Sequence, residues 1–497
     1  MDDPKICLCL TGSTLAENIA TLDMYRNQID MVELRADYLT ADECLYLRRF
    51  PQMAGIPTIL TLRRIIDGGT FSGGEASRTT VFARGLAFAN QDSRKNFAFI
   101  DLEEDFNVPS LQDAALAFGI RIIRSHHCMN ETVIDIPKKL DSMRKTGYEI
   151  PKIACMPSSL ADVTKIFQEC KSVDYEHIVC AMGVFGLPTR ILAKKLGSYL
   201  TFCSPPETEG MSDKLGHLDP ITLNETYNFR SINNDTEIFG VTGYPLSTTA
   251  SPRLHNAGYH AHNVNAVYIP IKAKTIDETV DFADEVGIKG ISVTVPHKES
   301  VIDLLPIVSD QIIEVGACNT LVKTDLGWTG CNTDAAGFKR SLLEFLDKDN
   351  FKRKKIAIIG AGGVAKAVAY AVHEMGFHAC IFNRTVSKAR NLAMIYGFKY
   401  AALGLATHEL LEQHSWLIIQ TTAVGMGAGT HVTSTDDPLE FYDFEGHERV
   451  FDVIYYPEKT PMMVRAEKAG CRVCNGYNML QYQAYEQFEL FTGVKYE

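Results

Sequence analysis

The run Ile150-Pro151-Lys152-Ile153-Ala154-Cys155-Met156 predicts a buried β-strand that carries one lysine among apolar side chains. An ammonium buried there would cost free energy, so we expect a lowered lysine pKa and a neutral amine. A neutral lysine amine can attack a ketone and form a Schiff base. A lone lysine at a strand end more often extends its charged head to water. The neighbouring segments decide between the two interpretations.

Strand-like apolar runs and helix-like stretches alternate through the first half of the chain. The strand-like runs are residues 5–11, 31–36, 58–62, 97–102, 120–125, 150–156, 177–181 and 199–203. The helix-like stretches between them include residues 13–27, 78–90, 132–146, 160–172 and 187–196. This alternation predicts an α/β fold, a (β/α)₈ TIM barrel over residues 1–223, whose working side chains stand at the carboxyl ends of the strands.

Charged side chains occur where those predicted strands end. They are Glu33, Arg35, Arg63, Glu103, His127, Lys152 and, after the seventh strand, Arg190. An iminium on Lys152 would act as an electron sink, and a histidine could move a proton to a departing hydroxyl. Spacing alone does not decide between His126 and His127 for that task, and Glu103 could orient the histidine. The three arginines suit a carboxylate and several hydroxyls.

Five ordered motifs of this half resemble type I 3-dehydroquinate dehydratase over about residues 5–218. They are Glu-Leu-Arg-Ala-Asp at 33–37, Thr-Leu-Arg at 61–63, Asp-Leu-Glu at 101–103, Ser-His-His at 125–127 and Pro-Lys-Ile-Ala-x-Met-Pro at 151–157. The resemblance implies that Lys152 forms the Schiff base with 3-dehydroquinate and that His127 is the acid–base partner. It also implies that Glu33, Arg35, Arg63 and Arg190 hold the substrate.

The end of this half departs from the family pattern. The family usually has Ser-Ala-Pro-Gly-Gln in a loop that closes over the substrate. Here the nearest stretch is Asp213-Lys214-Leu215-Gly216-His217, so the serine and the glutamine are replaced by Asp213 and His217. The effect of this replacement on substrate binding is left open by the sequence.

The second half begins after a polar stretch, residues 224–235, which we interpret as a linker. A strand-like run at 354–359 leads into a glycine-rich turn and a helix of small residues at 366–375. Strand, turn and helix in this order predict a Rossmann dinucleotide-binding lobe over residues 338–475. The turn comprises Gly360, Ala361, Gly362, Gly363, Val364 and Ala365.

The second strand of that lobe indicates the cofactor. An NAD site expects an acidic residue at the end of this strand, to bind the ribose hydroxyl. The chain has Asn383, Arg384 and Thr385 there, with Lys388 close behind. An arginine in place of the acid favours the extra phosphate of NADP(H).

A small α/β substrate lobe is predicted over residues 236–337, completed by residues 476–497. It carries Lys298 at the end of Val-Thr-Val-Pro-His-Lys and Asp334 within Asn-Thr-Asp. A lysine and an aspartate in these contexts can share one proton-transfer task, or can be two ordinary surface residues.

Eight motifs of this half resemble shikimate dehydrogenase over about residues 237–497. They stand at 243–245, 251–256, 293–298, 316–320, 332–337, 383–385, 452–457 and 476–484. The resemblance implies that Lys298 and Asp334 serve the alcohol/ketone proton transfer, and that Asn319, Tyr455 and Gln483 line the substrate site. It also implies that the residues 360–365 and 383–385 hold NADP.

The motif that precedes the first helix of the lobe differs from the family pattern. The usual His-Ser-x-Ser-Pro appears as Thr248-Thr249-Ala250-Ser251-Pro252. Thr249 keeps the hydroxyl that would bind a substrate carboxylate but adds a methyl group, and Ser251 is retained. Shikimate and quinate therefore both stay open as substrates.

Composition excludes several classes of protein. The chain has 497 residues, 46% of them hydrophobic, and a net charge of −12, which argues against nucleic acid as a main partner. We find no apolar run long enough to span a membrane and no leader, so we expect a cytoplasmic protein unless a leader, such as a plastid transit segment, was removed. The 13 cysteines lack a framework, and neither Cys471-Arg472-Val473-Cys474 nor His255, His260 and His262 predicts a metal site.

The sequence thus predicts a fused enzyme with two consecutive reactions. The first half would dehydrate 3-dehydroquinate to 3-dehydroshikimate, and the second would reduce that ketone to shikimate with NADPH. The alternatives are a second half that prefers quinate, and a metabolite-sensing regulator without catalysis, since fold alone does not prove an activity. A monomer is expected because one chain already brings the two sites together.

Overall fold

The computed structural model describes residues 3–86, 92–208, 214–246, 249–347, 349–351, 353–426 and 436–497. The chain forms two compact units, Met1–Ile288 and Lys289–Glu497. The boundaries expected from the sequence, at 223, 235, 337 and 475, stay predictions.

The first unit contains a parallel sheet of eight strands in its described part, in the order β7-β6-β5-β4-β3-β2-β1-β8. The strands are β1 (Lys5–Leu10), β2 (Met31–Arg35), β3 (Thr58–Thr61), β4 (Phe99–Glu103), β5 (Arg121–Cys128), β6 (Glu149–Cys155), β7 (Ile178–Ala181) and β8 (Leu200–Cys203). Backbone contacts between His177 and the segment 198–199 bring β7 next to β8. The predicted eight-stranded TIM-barrel architecture is confirmed.

Helices follow the strands around the outside of this sheet. They are α1 (Leu15–Tyr25), α2 (Phe50–Ala54), α3 (Glu75–Leu86), α4 (Pro109–Ala117), α5 (Ile136–Ser142), α6 (Leu160–Cys170), α7 (Leu187–Ile191) and α8 (Ala193–Leu196). Thr14 and Glu17 form a capping box that begins α1, and Ser159 caps α6. The predicted helix 78–90 extends beyond the described residues at 87–90.

The barrel interior is built in layers by the two-residue period of its strands. The lowest layer is apolar and includes Met31, Phe99, Ile123 and Ile150. Residues two positions further along each strand point to the same interior, and most of these are polar. Because the polar layer follows the apolar layer along each strand, the buried charges lie near the carboxyl ends of the barrel strands.

The rest of the first unit comprises the predicted linker and two parallel strands with their helices. Asn224 donates to the Gln28 carbonyl and Arg230 pairs with Asp30 at 2.7 Å, so the segment 224–235 is packed on the barrel. The elements that follow are β9 (Glu237–Gly243), α9 (Ser251–Ala261), β10 (Ala266–Lys272) and α10 (Ile276–Val286).

The second unit starts with three strands that pair antiparallel. They are β11 (Ile288–Val293), β12 (Thr320–Thr324) and β13 (Gly327–Cys331), with helices α11 (Asp310–Val315) and α12 (Asp334–Leu346). The long C-terminal helix α17 (Tyr477–Thr492) returns to these strands, where Gln487 bonds to Ser292 and Thr320.

A six-stranded parallel sheet forms the remainder of the second unit, in the order β16-β15-β14-β17-β18-β19. This is the strand order of a Rossmann fold, so the predicted Rossmann lobe is confirmed. Its elements are β14 (Lys355–Ile359), α13 (Gly363–Glu374), β15 (His378–Asn383), α14 (Val386–Tyr396), β16 (Lys399–Ala402), α15 (His408–Glu412), β17 (Leu417–Gln420), β18 (Arg449–Asp452), α16 (Pro461–Lys468) and β19 (Arg472–Cys474). Within the described ranges, no helix is long and apolar enough to cross a membrane.

Candidate active sites

A cavity opens at the carboxyl end of the barrel strands, where the working residues of this fold are expected. Six of the predicted residues line it: Glu33, Arg35, Arg63, His127, Lys152 and Arg190. Its other lining residues include Cys9, Met129, Cys180, Met182, Phe202, Leu215 and His217. The structure therefore brings the predicted dehydratase residues together, apart from Glu103, which is not among the lining residues.

Lys152 is buried, with 4% of its surface exposed, and its ammonium is paired with acids. Nζ lies 2.9 Å from Oδ2 of Asp101, 3.8 Å from Oε1 of Glu33 and 4.3 Å from the centre of the Phe202 ring. Burial lowers the pKa of Lys152, but the charges of Asp101 and Glu33 outweigh burial, and the pKa is raised. The prediction that the pKa of Lys152 is lowered is therefore wrong. The sequence did not show that the carboxylates of Asp101 and Glu33 lie next to the amine.

Among the described residues, Glu103 bonds to arginines and forms no hydrogen bond with His127. One of its carboxylate oxygens accepts from Arg63 at 2.7 Å, and the other accepts from Arg78, which is fully buried. His127 Nδ1 has no hydrogen-bond partner among the described residues. The expectation that Glu103 orients the histidine is wrong for this arrangement, since two arginines already occupy the carboxylate. Glu103 instead holds Arg63 in the cavity wall.

The two adjacent histidines lie on opposite faces of β5. His127 lines the cavity, whereas the Nδ1 of His126 lies 2.6 Å from Glu104, which also accepts from Lys139 outside the barrel. Burial, and then the charges of Arg63 and Lys152, lower the pKa of His127 well below its usual value. His127 is therefore a neutral ring that can accept a proton next to Lys152.

Replacing His127 with alanine should lower the rate of dehydration about 10²- to 10⁴-fold, the range for loss of a general acid–base residue. His126→Ala is the matched control, because this ring lies outside the cavity and should leave the rate near that of the wild type. Steady-state dehydration kinetics of both variants measure the difference. Equal losses in the two variants would contradict the assignment.

The remaining cavity charges are held in different ways. Arg35 forms a two-point ion pair with Asp37, at 2.9 and 2.8 Å, and Glu33 accepts from Thr61 and from the Cys9 thiol. Arg190 is 2% exposed and donates to the Leu215 carbonyl at 2.9 Å. Its Nε and one terminal nitrogen have no partner in the described structure, so these donors remain for a ligand.

Asp101 was missed by the sequence reasoning, whereas His217, the loop residue that replaces the family's glutamine, lines the cavity. Asp101 is 1% exposed and accepts from Lys152, Arg63 and Ser125, the last at 2.6 Å. The two-residue period was the signal: Asp101 precedes Glu103 by two positions on β4, so both side chains point into the barrel. Asp213, the other replaced loop residue, lies outside the described residues.

The second unit joins Lys298 and Asp334 directly. Nζ of Lys298 lies 2.5 Å from Oδ2 of Asp334, and the two residues are 7% and 6% exposed. Asp334 begins α12, and Lys298 precedes α11. The interpretation of two ordinary surface residues is thereby excluded.

Polar side chains form a connected network in the same unit. Asn319 donates to Thr333 at 3.0 Å and to Gln483 at 3.4 Å, and its oxygen accepts from the Thr333 backbone. The network connects Thr333, which follows β13, with Gln483 on α17, and Gln483 lies beside Asn319. Tyr455 is half-buried, just beyond β18.

Thr249 and Ser251 lie at the start of α9 in the first unit. The Thr249 hydroxyl donates to the Ser251 hydroxyl at 3.2 Å and accepts from the Ser251 backbone amide. These two hydroxyls form one hydrogen-bonded pair at a helix start. Thr248 lies outside the described residues.

The glycine-rich turn fits a dinucleotide. Gly360 has φ +115°, and a Cβ there would lie 2.5 Å from the Thr421 hydroxyl, so a side chain is excluded. Gly362 has open space around its Cβ position, and α13 begins at Gly363 without a side-chain cap, which suits a phosphate at this helix start. Ala361, Val364 and Ala365 complete the turn and the first helical turn. A Cβ on Gly363 would lie 3.4 Å from Cδ of Lys298, so the lysine stem passes beside this turn.

The residues predicted to distinguish NADP(H) from NAD(H) follow β15. Asn383 donates to the Thr385 carbonyl at 2.9 Å, which shapes the turn into α14. Arg384, Thr385 and Lys388 are exposed there, so the two cationic side chains are accessible to a phosphate. The described residues contain no group of three or more metal-ligating side chains.

Family models match three separate stretches of the chain. Residues 6–234 match the family model of type I 3-dehydroquinase, residues 241–321 that of the shikimate dehydrogenase substrate binding domain, and residues 344–426 that of shikimate / quinate 5-dehydrogenase. The chloroplastic bifunctional 3-dehydroquinate dehydratase/shikimate dehydrogenase of Arabidopsis thaliana is 30% identical over 483 residues, which cover 94% of this chain and 78% of that protein.

Two further proteins align with part or all of the chain. The shikimate dehydrogenase (NADP(+)) of Maridesulfovibrio salexigens is 36% identical over 262 residues, 52% of this chain and 92% of that protein. A solved structure of the dehydroquinate dehydratase and shikimate dehydrogenase from S. pombe aligns with 100% of this chain and 97% of its own, at 22% identity and a TM-score of 0.42.

Proposed function

The chain belongs to the family of bifunctional 3-dehydroquinate dehydratase/shikimate dehydrogenases, and on that premise we propose which side chains carry its two reactions. Its first half is a type I 3-dehydroquinate dehydratase, a lyase. Its second half is an NADP-dependent shikimate dehydrogenase, an oxidoreductase. The two halves catalyse consecutive steps of the shikimate pathway.

In the dehydratase, Lys152 is the nucleophile. Lys152 must first lose its ammonium proton, and His127, whose ring lines the same cavity, is the proposed acceptor. Because Asp101 and Glu33 raise the pKa of Lys152 while burial lowers that of His127, this transfer is uphill and the free amine is a transient species. The free amine attacks the ketone of 3-dehydroquinate, and loss of water gives an iminium. Because the iminium keeps the positive charge of the ammonium, Asp101 and Glu33 face a cation before and after the covalent bond forms.

His127 then completes the elimination. It removes a proton from the carbon beside the iminium and delivers a proton to the departing hydroxyl, which leaves as water. Hydrolysis of the iminium by water releases 3-dehydroshikimate and restores the Lys152 ammonium, paired again with Asp101 and Glu33. Arg35, Arg63 and Arg190 are the guanidinium groups proposed to hold the substrate carboxylate and hydroxyls, with Glu33 accepting from a hydroxyl.

One observation carries this proposal: a buried lysine, a neutral histidine and three arginines line one cavity at the catalytic end of the barrel. Reduction with borohydride in the presence of 3-dehydroquinate should fix a covalent adduct on Lys152, detected as a mass increase of its peptide. An adduct on a different lysine, or none, would contradict the proposal.

In the dehydrogenase, Lys298 and Asp334 handle the proton. NADPH, when bound, supplies the hydride that reduces the ketone. Lys298 holds a proton at Nζ, 2.5 Å from Asp334, and is proposed to give it to the new alcohol oxygen. Asn319, Gln483, Tyr455, Thr249 and Ser251 are the proposed substrate-binding residues, and the turn 360–365 with Asn383 and Thr385 is proposed to hold the cofactor.

Arg384 and Lys388 are proposed to bind the 2′-phosphate that distinguishes NADPH from NADH. Arg384→Gln should raise the KM for NADPH about 10- to 100-fold, the effect of losing a charge-assisted hydrogen bond, and should leave the KM for NADH nearly unchanged. Arg390→Gln, at an exposed position of α14, the helix that follows Arg384, is the matched control. Equal changes for both cofactors would contradict this role.

Thr249 bears on the substrate preference of the second half. It keeps the hydroxyl of the serine in the family pattern, which would bind a carboxylate, and adds a methyl group. We propose shikimate as the preferred substrate and quinate as the alternative. Rates of NADP⁺ reduction with each acid separate the two, and a higher kcat/KM with quinate would reverse the assignment. A monomeric state and a cytoplasmic location stay predictions.

A further inference from the structure

Phe185 is a buried aromatic side chain in the loop that follows β7 of the barrel. It is 5% exposed, and it is not among the residues that line the dehydratase cavity. The loop around it is tight, because Gly183 has φ +70° and its carbonyl accepts from the Gly186 amide at 3.2 Å. The Thr189 hydroxyl donates to the Gly186 carbonyl at 2.7 Å and accepts from the Ala181 amide at 3.0 Å. The barrel therefore fixes the position of the Phe185 ring.

The Phe185 ring contacts two residues of the segment 241–321, which matches the shikimate dehydrogenase substrate binding domain. Tyr244, directly after β9, is stacked on it, with ring centres 6.0 Å apart and planes 3° apart. Nζ of Lys274, two residues after β10, lies 5.4 Å from the centre of the Phe185 ring. The same Nζ donates to the carbonyl of Ser158, in the barrel loop after β6, at 2.9 Å. Two barrel loops thus reach the carboxyl ends of β9 and β10.

Helices of the same compact unit hold these loops and strands together. Phe167 on α6 packs edge-on against Phe282 on α10, with ring centres 5.7 Å apart, and both side chains are buried. Lys171 at the end of α6 pairs with Glu285 on α10 at 2.6 Å. Because α6 follows β6 and α10 follows β10, this packing fixes the barrel loops against the ends of β9 and β10.

Tyr244 begins the connection between β9 and α9, residues 244–250, which carries the Thr249 hydroxyl. Ligands of parallel α/β sheets bind beyond the carboxyl ends of the strands, where this connection lies. The Thr249 hydroxyl bonds to the hydroxyl and the amide of Ser251, so the position of the connection sets the direction of both hydroxyls. The stacked ring of Tyr244 is therefore a point at which the barrel can hold a substrate-binding segment of the dehydrogenase.

We propose that Phe185, a residue of the dehydratase barrel, is a positioning residue of the dehydrogenase. Its stacking on Tyr244 holds the connection between β9 and α9, so that the Thr249 and Ser251 hydroxyls lie where they bind the substrate carboxylate. The inference rests on the proposed substrate-binding function of these two hydroxyls. It gives the fusion a structural consequence: one half of the chain supports substrate binding in the other half.

Removing the ring of Phe185 tests this role. Phe185→Leu keeps an apolar side chain in the loop, and it should raise the KM for 3-dehydroshikimate about 2- to 10-fold, the range for loss of one aromatic pair. The kcat should change much less, because Lys298 and Asp334 are proposed to move the proton. Val184→Ala, at an exposed position of the same loop, is the matched control and should keep the wild-type KM. An unchanged KM in Phe185→Leu, or a loss confined to kcat, would overturn the proposal.

Variants of Tyr244 test whether the stacked pair is responsible. Tyr244→Phe keeps the ring and should keep the wild-type KM, whereas Tyr244→Leu should raise the KM as Phe185→Leu does. The double variant with leucine at both positions should have a KM close to that of either single variant, since both changes remove one contact. Fully additive effects on KM would overturn the proposal.

Two further measurements separate this inference from its premises. Dehydration of 3-dehydroquinate by Phe185→Leu should stay near the wild-type rate, and an equal loss there would overturn the proposal, because the residue would then support the barrel as a whole. Thr249→Val removes the hydroxyl and should raise the KM for 3-dehydroshikimate. An unchanged KM in Thr249→Val would count against the proposed function of the connection. A raised KM in Thr249→Val with an unchanged KM in Phe185→Leu would count against the inference alone.

Discussion

Replacing Lys152 with alanine should abolish dehydration of 3-dehydroquinate and leave reduction of 3-dehydroshikimate at the wild-type rate. The variant has no amine to form the iminium, so the electron sink for proton removal is lost. The expected loss is on the order of 10⁴-fold or more, the scale found when a covalent nucleophile is removed. Measured rates of both reactions on one protein sample separate the chemical effect from misfolding.

Lys152→Arg is the matched control for charge. An arginine keeps a cation for Asp101 and Glu33, but its guanidinium does not form a Schiff base with a ketone. We therefore expect this variant to be as inactive in dehydration as Lys152→Ala, and better folded. Dehydration by Lys152→Arg within about tenfold of the wild-type rate would mean that the positive charge, and not the covalent bond, supplies catalysis.

Replacing Lys298 with alanine, or Asp334 with asparagine, should lower the rate of ketone reduction about 10²- to 10⁴-fold. The two side chains are 2.5 Å apart and are proposed to act as one proton-transfer unit. The double variant should then be little slower than either single variant, because groups that act together are not additive. Measuring kcat with 3-dehydroshikimate and NADPH for the two single variants and the double variant tests this expectation.

The dehydratase activity of the same variants is the control for folding, and it should be unchanged. Fully additive losses in the double variant would show that Lys298 and Asp334 act independently. A loss of less than about tenfold in the rate of ketone reduction would mean that another group donates the proton.

The strands and the cavity position of most site residues could be predicted from the sequence. The period of two on each buried strand fixes which side chains share the barrel interior, and Lys152 therefore had to face the same space as Glu33, Arg63 and His127. The glycine spacing likewise fixed the turn at Gly360, whose positive φ only glycine adopts readily.

The partners of the charged groups could not be predicted in the same way. Whether Glu103 meets His127 or Arg78 depends on which side chains reach across the barrel, and strand pattern does not contain that distance. The predicted lowering of the Lys152 pKa was wrong for the same reason. Burial lowers this pKa and the two carboxylates raise it, and distances of a few ångströms decide which effect is larger. The different faces of His126 and His127 needed only the strand register, once β5 was extended to Cys128.

The measurement that tests the account most directly is a coupled reaction of the wild-type protein with 3-dehydroquinate and NADPH, followed by the loss of NADPH absorbance. We predict steady consumption of NADPH, with shikimate as the product. Lys152→Ala should stop this consumption and 3-dehydroshikimate should restore it, whereas Lys298→Ala should not be restored by either compound. A wild-type protein that consumes no NADPH with either 3-dehydroquinate or 3-dehydroshikimate would contradict the account and favour a regulator that only binds these metabolites.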